Sequence, residues 1–320
     1  MPHAAIVTNW GAPPKYQPFD LPPPTETQVR IRVLLAGLPN LVRSRAAGQH
    51  YSVAHTAPPH IPGVDGVGML VPSDELVYFT SLTAPTGSFA SQINVEKRDV
   101  WKLPDGADPQ QVAVLVNAVM SGWMALTARV GIVPGQREAW SVAVLGATGV
   151  SGQAAVQVAK ALGAEKVVAI GKPGEKLERT RELGATATIA LSGEGEETDF
   201  TAAADVDVVL DYLWGDVARV VLPGIIDKRK DKSQRLSWVE IGALGGDGVE
   251  VSGALLRKAN LVLMGCGPGS WSFKELGAQM PAMLEGIVEG GMRAEFKVER
   301  LEEVESWWGD SEGPRKLVKV

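Results

Sequence analysis

One run constrains this chain more than any other: Val142-Ala143-Val144-Leu145-Gly146-Ala147-Thr148-Gly149-Val150-Ser151-Gly152. An apolar strand runs straight into three glycines spaced G-x-x-G-x-x-G, and helical spacing through Val156, Ala159 and Leu162 follows at once. Gly163 ends that helix as a natural C-cap, and a second apolar strand, Lys166-Val167-Val168-Ala169-Ile170, completes a β-α-β unit. Glycines alone say little in a chain that has 36 of them. In register with strand, helix and strand they point to a dinucleotide site. Small residues at the turn let backbone N–H groups approach a pyrophosphate at the positive end of the helix. Gly146, Ala147, Thr148, Gly149 and Val150 are the candidate contacts. The plain alternative is a tight strand-to-helix turn without a ligand.

The second strand bears on which dinucleotide. NAD sites place a carboxylate at its C-terminal end, where it accepts hydrogen bonds from the adenosine ribose. Here the strand ends Ala169-Ile170-Gly171-Lys172, and the first acid is Glu175. The missing acid removes the repulsion a 2′-phosphate would meet, and Lys172 offers it a positive charge. Arg179 and Arg181 follow on the next helical stretch and can add to that field. NADPH is the expected cofactor; the alternative for Lys172 is an ordinary surface lysine.

At 320 residues the chain exceeds the size at which one core stays efficient, so two domains are expected. Hydrophobic content of 45% and charged content of 21% describe a soluble globular protein. A net charge of −6 argues against nucleic acid or an anionic membrane as the main partner. No apolar run is expected to span a membrane, no charged-then-apolar leader opens the sequence, and the expected compartment is the cytoplasm. Cys266 is the sole cysteine and the four histidines stand at 3, 50, 55 and 60, so neither a disulfide nor a metal cluster is expected.

Residues 1 to about 115 read as β-rich and turn-punctuated, with strand candidates at 28–35, 66–71 and 76–79. From about residue 109 the pattern is helical to Ala128, and strands and helices then alternate, with strands at 206–210, 236–241 and 261–264. That order implies a parallel sheet wound on both sides. The polar segment Gly224 to Gln234 reads as a surface insertion, and a helix is expected over about Phe273 to Glu289. Strand-like pieces at 293–298 and 316–320 are assigned back to the first domain.

With this organisation the chain resembles the zinc-independent, quinone oxidoreductase-like branch of the medium-chain dehydrogenase/reductase superfamily. The carriers are Ile61-Pro62-Gly63-Val64-Asp65-Gly66-Val67-Gly68, Ser121-Gly122-Trp123-Met124-Ala125-Leu126, and the Gly-rich stretch with Val156-Gln157-Val158-Ala159-Lys160. Leu183-Gly184-Ala185 and Val208-Val209-Leu210-Asp211 continue it. The resemblance implies an α/β chain: a GroES-like catalytic domain over 1–115, completed by 292–320, a doubly wound Rossmann domain over 116–291, and a cofactor cleft between them. A homodimer through the Rossmann domain is a further expectation. Zinc-dependent relatives carry Gly-His-Glu where this chain reads Gly63-Val64-Asp65, and they carry four clustered cysteines that are absent here. Asp65 alone cannot hold zinc, which takes several protein ligands, and is expected to accept backbone hydrogen bonds in a turn. Relatives often place a tyrosine against the adenosine phosphate where this chain has Ile189-Ala190-Leu191, which leaves that phosphate to Lys172.

Without a metal, the substrate must itself be electrophilic enough to take a hydride, with hydrogen bonds steadying the developing oxyanion. Quinones and α,β-unsaturated ketones or aldehydes meet that condition. The catalytic candidates are Asn40, where relatives line the nicotinamide side of the cleft, and Tyr51. The alternatives are a turn residue for Asn40 and simple ring packing for Tyr51, while His55 reads as a solvated loop residue. The resemblance places Asn117 and Ser121 against the nicotinamide ribose and phosphates, and Gly265, Cys266 and Gly267 beside the carboxamide. Either polar residue can equally be an ordinary helix-face group. No His or Lys adjoins Cys266 to activate it as a nucleophile, and Trp307-Trp308 are expected to pack as core or interface. The leading reading is an NADPH-dependent, zinc-free reductase of a conjugated carbonyl. A non-redox enzyme reusing the fold, for example for a cyclisation, and an NADPH-binding protein without turnover stay open beside it.

Overall fold

The computed structural model describes all residues except 83, 85, 134–138, 194–196 and 312. Along the chain come β1 (His3–Ile6), β2 (Lys15–Pro18), β3 (Gln28–Leu38), α1 (Asn40–Ala46), β4 (Asp65–Val71), β5 (Leu76–Thr80), β6 (Gln92–Glu96), β7 (Val100–Lys102) and α2 (Pro109–Met124). Next are β8 (Ser141–Leu145), α3 (Val150–Ala161), β9 (Lys166–Gly171), α4 (Glu175–Glu178), β10 (Ala187–Ala190), β11 (Val208–Asp211) and α5 (Gly215–Lys228). The remainder is β12 (Leu236–Glu240), α6 (Gly253–Lys258), β13 (Leu261–Gly265), α7 (Phe273–Glu289), β14 (Phe296–Arg300), α8 (Val304–Trp307) and β15 (Arg315–Lys319). The chain divides into two compact units, Met1–Asn117 with Met280–Val320, and Ala118–Gln279.

The first unit is built on a mixed sheet of order β14-β15-β3-β4-β5-β7, with β6 also paired to β3. Alternation explains β3: Ile31 and Val33 point into the core, while Arg30 turns outward and donates to Asn94 Oδ1 at 2.8 Å and to the Pro22 carbonyl at 2.6 Å. Strand β15 pairs antiparallel to β3, Lys316 opposite Leu38, and β14 lies parallel to β15. Trp307 and Trp308 are buried in this unit's core, edge-on to Phe89.

The second unit holds a six-stranded parallel sheet of order β10-β9-β8-β11-β12-β13. Counted from β8, this is the doubly wound dinucleotide-binding order, with the reversal between β8 and β11. Strands β8, β9 and β11 are almost wholly apolar because helices cover both faces. Helix α3 buries small residues, Gly152, Ala154, Ala155 and Ala159 among them, which lets it lie close to the sheet.

Two expectations are corrected. Residues 224–234 are only in part a surface insertion: residues 230–234 form a largely exposed turn, but α5 runs through Lys228 with Ile225 and Ile226 fully buried. Behind it the buried Arg229 donates to the carbonyls of Ala204, Val206 and Gln234. The apolar pattern of that stretch was hidden by the Lys, Arg and Asp that flank it. An apolar run long enough to cross a membrane does occur, over Pro109–Val130, 22 residues with a hydropathy of 1.4. It is α2 with the π-helical turn that continues it, and most of it is buried, as in a core helix.

Candidate functional site

The glycine turn of the second unit has the geometry of an anion cradle. Gly146 takes a φ of +90°, and the N–H groups of Gly146 and Ala147 both donate to the Ile170 carbonyl, at 2.9 and 3.0 Å. This ties the turn to the end of β9. Gly149 is the N-cap of α3 and has no side chain to cover the helix end. Helix geometry leaves the N–H groups of Val150, Ser151 and Gly152 without partners inside α3, so they face outward as donors. A Cβ on Gly152 would sit 2.3 Å from the Gly146 carbonyl oxygen, and one on Gly171 would sit 2.8 Å from Thr148 Cγ2. The turn, the helix start and the end of β9 are therefore in backbone contact, and the residues fit a pyrophosphate.

Lys172 is the first residue past β9 and is exposed. Of the two arginines that follow, Arg181 is held by Glu178 (3.1 Å) and Thr188 (2.7 Å). Ile189 and Leu191 are buried, so no phenol stands in that segment.

Beside the glycine turn, β11 ends in the buried Asp211, paired with Leu145 of β8, which accepts from the N–H groups of Leu213 and Trp214 and from Trp238 Nε1, at 2.9, 2.9 and 3.0 Å. Burial raises the Asp211 carboxyl pKa and those three donors oppose the rise. Asp211 folds the chain into a turn where Trp214 has a φ of +52°. The turn presents Tyr212, whose hydroxyl lies 3.0 Å from Ser121 Oγ. Ser121 spends its proton on the Ala118 carbonyl at 2.8 Å, so Tyr212 is the donor to Ser121. Tyr212 escaped the sequence reading because its partner is 91 residues away.

Cys266 follows β13, its N–H bonded to the Glu240 carbonyl and its thiol 3.8 Å from the Ser121 carbonyl. Burial pushes that thiol up to about 11, so it stays protonated and is no nucleophile. Arg129 donates to the carbonyls of Gly265 and Ser270, and Gly267 N–H to Ser270 Oγ, which fixes the 265–267 loop. A cavity of about 380 Å³ adjoins it, lined by Trp214, Trp238, Glu240, Asp247 and Leu263. Its two carboxylates would repel phosphate, so it does not compete with the glycine turn.

In the first unit Asn40 opens α1 and is exposed, while Tyr51 begins a 3-10 turn, 63% exposed, with its ring 4.2 Å from that of His50. His55 is exposed. Asn117, half-buried on α2, belongs to this unit, and Ser121 belongs to the other. Among the described residues, no group of three His, Cys, Asp or Glu side chains is disposed to hold a metal.

Asp65 is corrected in its partners. It is 1% exposed, and Oδ2 accepts from the Tyr78 hydroxyl at 3.0 Å rather than from turn amides, while Oδ1 has no partner. Burial pushes its carboxyl up to about 7 against the pull of Tyr78 and Arg315, and burial pushes the Arg315 guanidinium down to about 10. A carboxyl raised on folding makes the folded chain bind more protons than the unfolded one, so its contribution falls as pH rises from about 4 to 7. Asp65→Asn keeps the shape and removes the titration. In urea unfolding it is expected to match the parent near pH 4 and to exceed it at pH 8 by on the order of 3 kcal/mol. A difference between the two proteins that does not change with pH would contradict this.

The family described as zinc-binding dehydrogenase matches residues 151–222. The chain is 32% identical over 354 residues to a probable NADPH-dependent quinone reductase, tdiC, of Emericella nidulans, with 97% of each chain covered. It is 25% identical to quinone oxidoreductase-like protein 2 of Rattus norvegicus, over 67% of this chain and 61% of that protein. Among solved structures, the quinone oxidoreductase of Thermus thermophilus, described also in its complex with NADPH, superposes with a TM-score of 0.76 at 23% identity. The match covers 99% of this chain and 100% of that one. A Pseudomonas syringae pv. Tomato quinone oxidoreductase gives 0.78 at 18% identity, over the whole of both chains. These structures share the GroES-like plus Rossmann fold. The full-length likeness, the doubly wound sheet and the glycine turn agree: the chain belongs to the medium-chain dehydrogenase/reductase superfamily, in its quinone oxidoreductase-like branch.

Proposed function

We propose that the protein is an NADPH-dependent reductase acting on a conjugated carbonyl, a quinone or an α,β-unsaturated ketone or aldehyde, without a catalytic metal. The observation that carries this reading is the bare glycine turn at the start of α3, with exposed Lys172 and no carboxylate closing β9. In it, the backbone from Gly146 to Val150 holds the pyrophosphate and Lys172 the 2′-phosphate. Ser121, oriented by Tyr212, and Asn117 contact the nicotinamide ribose and phosphates, and the 265–267 loop contacts the carboxamide. When bound, NADPH supplies the hydride. Asn40 and Tyr51 supply hydrogen bonds or a proton at the carbonyl oxygen of the acceptor. The Gly63-Val64-Asp65 segment lacks the donor set of a zinc site, so charge arriving on the substrate has to spread through its own conjugation. A homodimer through the second unit belongs to the same reading, since β13 is an edge strand whose Leu261 to Met264 are only half-buried.

Loss of NADPH absorbance in the presence of a quinone panel tests the reaction. Tight NADPH binding with no turnover on any quinone or enone would favour the non-redox readings. A positioned lysine–phosphate contact is worth about 1–3 kcal/mol, so Lys172→Glu is expected to erase roughly one to two decades of the preference for NADPH over NADH. Undiminished NADPH affinity in that variant would place the 2′-phosphate elsewhere.

A further inference from the structure

Helix α1 turns Val42, Arg45 and Ala46 inward. Two of these suit a core; the third carries a guanidinium that is only 9% exposed. Arg45 reaches the Leu82 carbonyl through Nη1 at a long 3.4 Å, and its Nε is buried with no partner. Among the described residues, no carboxylate balances its charge. Two imidazoles lie within its field, those of His50 and His60. His60 is pinned by a backbone bridge to Val7, its ring is 5.5 Å from Trp10, and its Nε2 is also buried without a partner. His50 accepts the Ser52 N–H at Nδ1, which leaves the hydrogen on Nε2 as a donor.

Burial first, and Arg45 second, lowers both histidines, His60 to about 4, so at neutral pH the group carries one positive charge. A buried guanidinium without an anion opposes folding. Replacing it by a hydrocarbon side chain would relieve that cost, so its presence calls for a ligand that brings the missing charge. Asn40 and Tyr51, proposed above to meet the acceptor, belong to the same stretch of chain as Arg45, His50 and His60.

We propose that Arg45, buried and without a partner for its Nε, binds a single anionic oxygen group, such as a carboxylate, carried by the substrate. The site thereby selects acidic conjugated carbonyl compounds over neutral ones. This rests on the reductase reading for what the rest of the ligand is, while the anion site stands on Arg45 itself.

Matched neutral and acidic probes test it on the full chain. 3-Benzoylpropionate and its methyl ester, neither able to accept a hydride at a double bond, are titrated calorimetrically into the parent and into Arg45→Met. The parent is expected to bind the acid about tenfold or more tightly than the ester, and Arg45→Met to lose that preference while binding the ester as before. Its melting temperature should equal or exceed the parent's, which a structural arginine would not allow. With 3-benzoylacrylate as substrate, KM should rise about tenfold in Arg45→Met with kcat little changed, and the ester's KM should stay put. Equal binding of acid and ester by the parent, a retained acid preference or a marked loss of stability in Arg45→Met, or competition of the acid with NADPH would each overturn the assignment. An acid preference without reduction of either unsaturated probe would uphold the site and count against the reductase reading.

Discussion

Gly152→Ala is expected to weaken NADPH binding by about a hundredfold or more and to destabilise the fold by about 2–4 kcal/mol. The added methyl would meet the backbone of the turn, 2.3 Å from the Gly146 oxygen and 2.7 Å from Ala147 Cα, with no flexible side chain to give way. Either α3 retreats from the turn or the turn opens, and in both cases the amides of Val150 and Ser151 leave their aim. Gly149→Ala is the internal control for stability alone, since Gly149 belongs to the cradle itself. Its Cβ would stand 3.6 Å from the Gly146 oxygen, an ordinary contact, and its φ of −79° suits any residue. Fluorescence titration of Gly152→Ala with NADPH and thermal melts of both variants check this. An alanine at 152 that melts and binds like the parent would show that contact with the turn does not set the cradle.

The acceptor prediction is as large. In an assay with 4-deuterated NADPH and an α,β-unsaturated ketone, the label is expected at the β-carbon, and quinones are expected to yield hydroquinones. Saturated ketones of the same size should be slower by about three decades or more, since neither conjugation nor a Lewis acid would then share the oxyanion charge. Mass spectrometry and proton NMR of the product locate the label. Deuterium at the carbonyl carbon, or efficient oxidation of an unactivated secondary alcohol by protein stripped with a chelator, would refute the conjugated-acceptor argument.

How far the sequence is legible depends on the range of the forces involved. The β8–α3–β9 unit is spelled out locally, because strand apolarity, turn glycines and helix spacing act over a few residues, and all three elements stand where the pattern expects them. The helix Phe273–Glu289 is equally plain. Short strands such as β1, β2 and β7 were not read from the pattern, since three or four residues of alternation do not stand out from a loop. The same limit applies to the candidate site. The glycine turn and Lys172 can be named from adjacent letters. The Tyr212–Ser121 bond, the orphaned Nε of Arg45 and the Asp65–Tyr78 pair depend on which elements pack together. No local signal marks them. Hydrophilic letters also mislead where a charged side chain is buried by backbone acceptors, as Arg229 is.

The position of β15 has a consequence for how the molecule is made. Its Lys316 to Lys319 fill the place beside Leu35 to Leu38 of β3, so an inner strand of the first unit is supplied by residues synthesised after the whole second unit. The second unit is contiguous in sequence, and as the chain leaves the ribosome its six strands are all available before β14 and β15 exist. Until then Leu35 to Leu38 of β3 lack the partner that β15 supplies, while a complete parallel sheet can form downstream. Closure of the first unit thus follows synthesis of the second, and the stretch of β3 that waits for β15 is where a nascent chain is most open to wrong pairing.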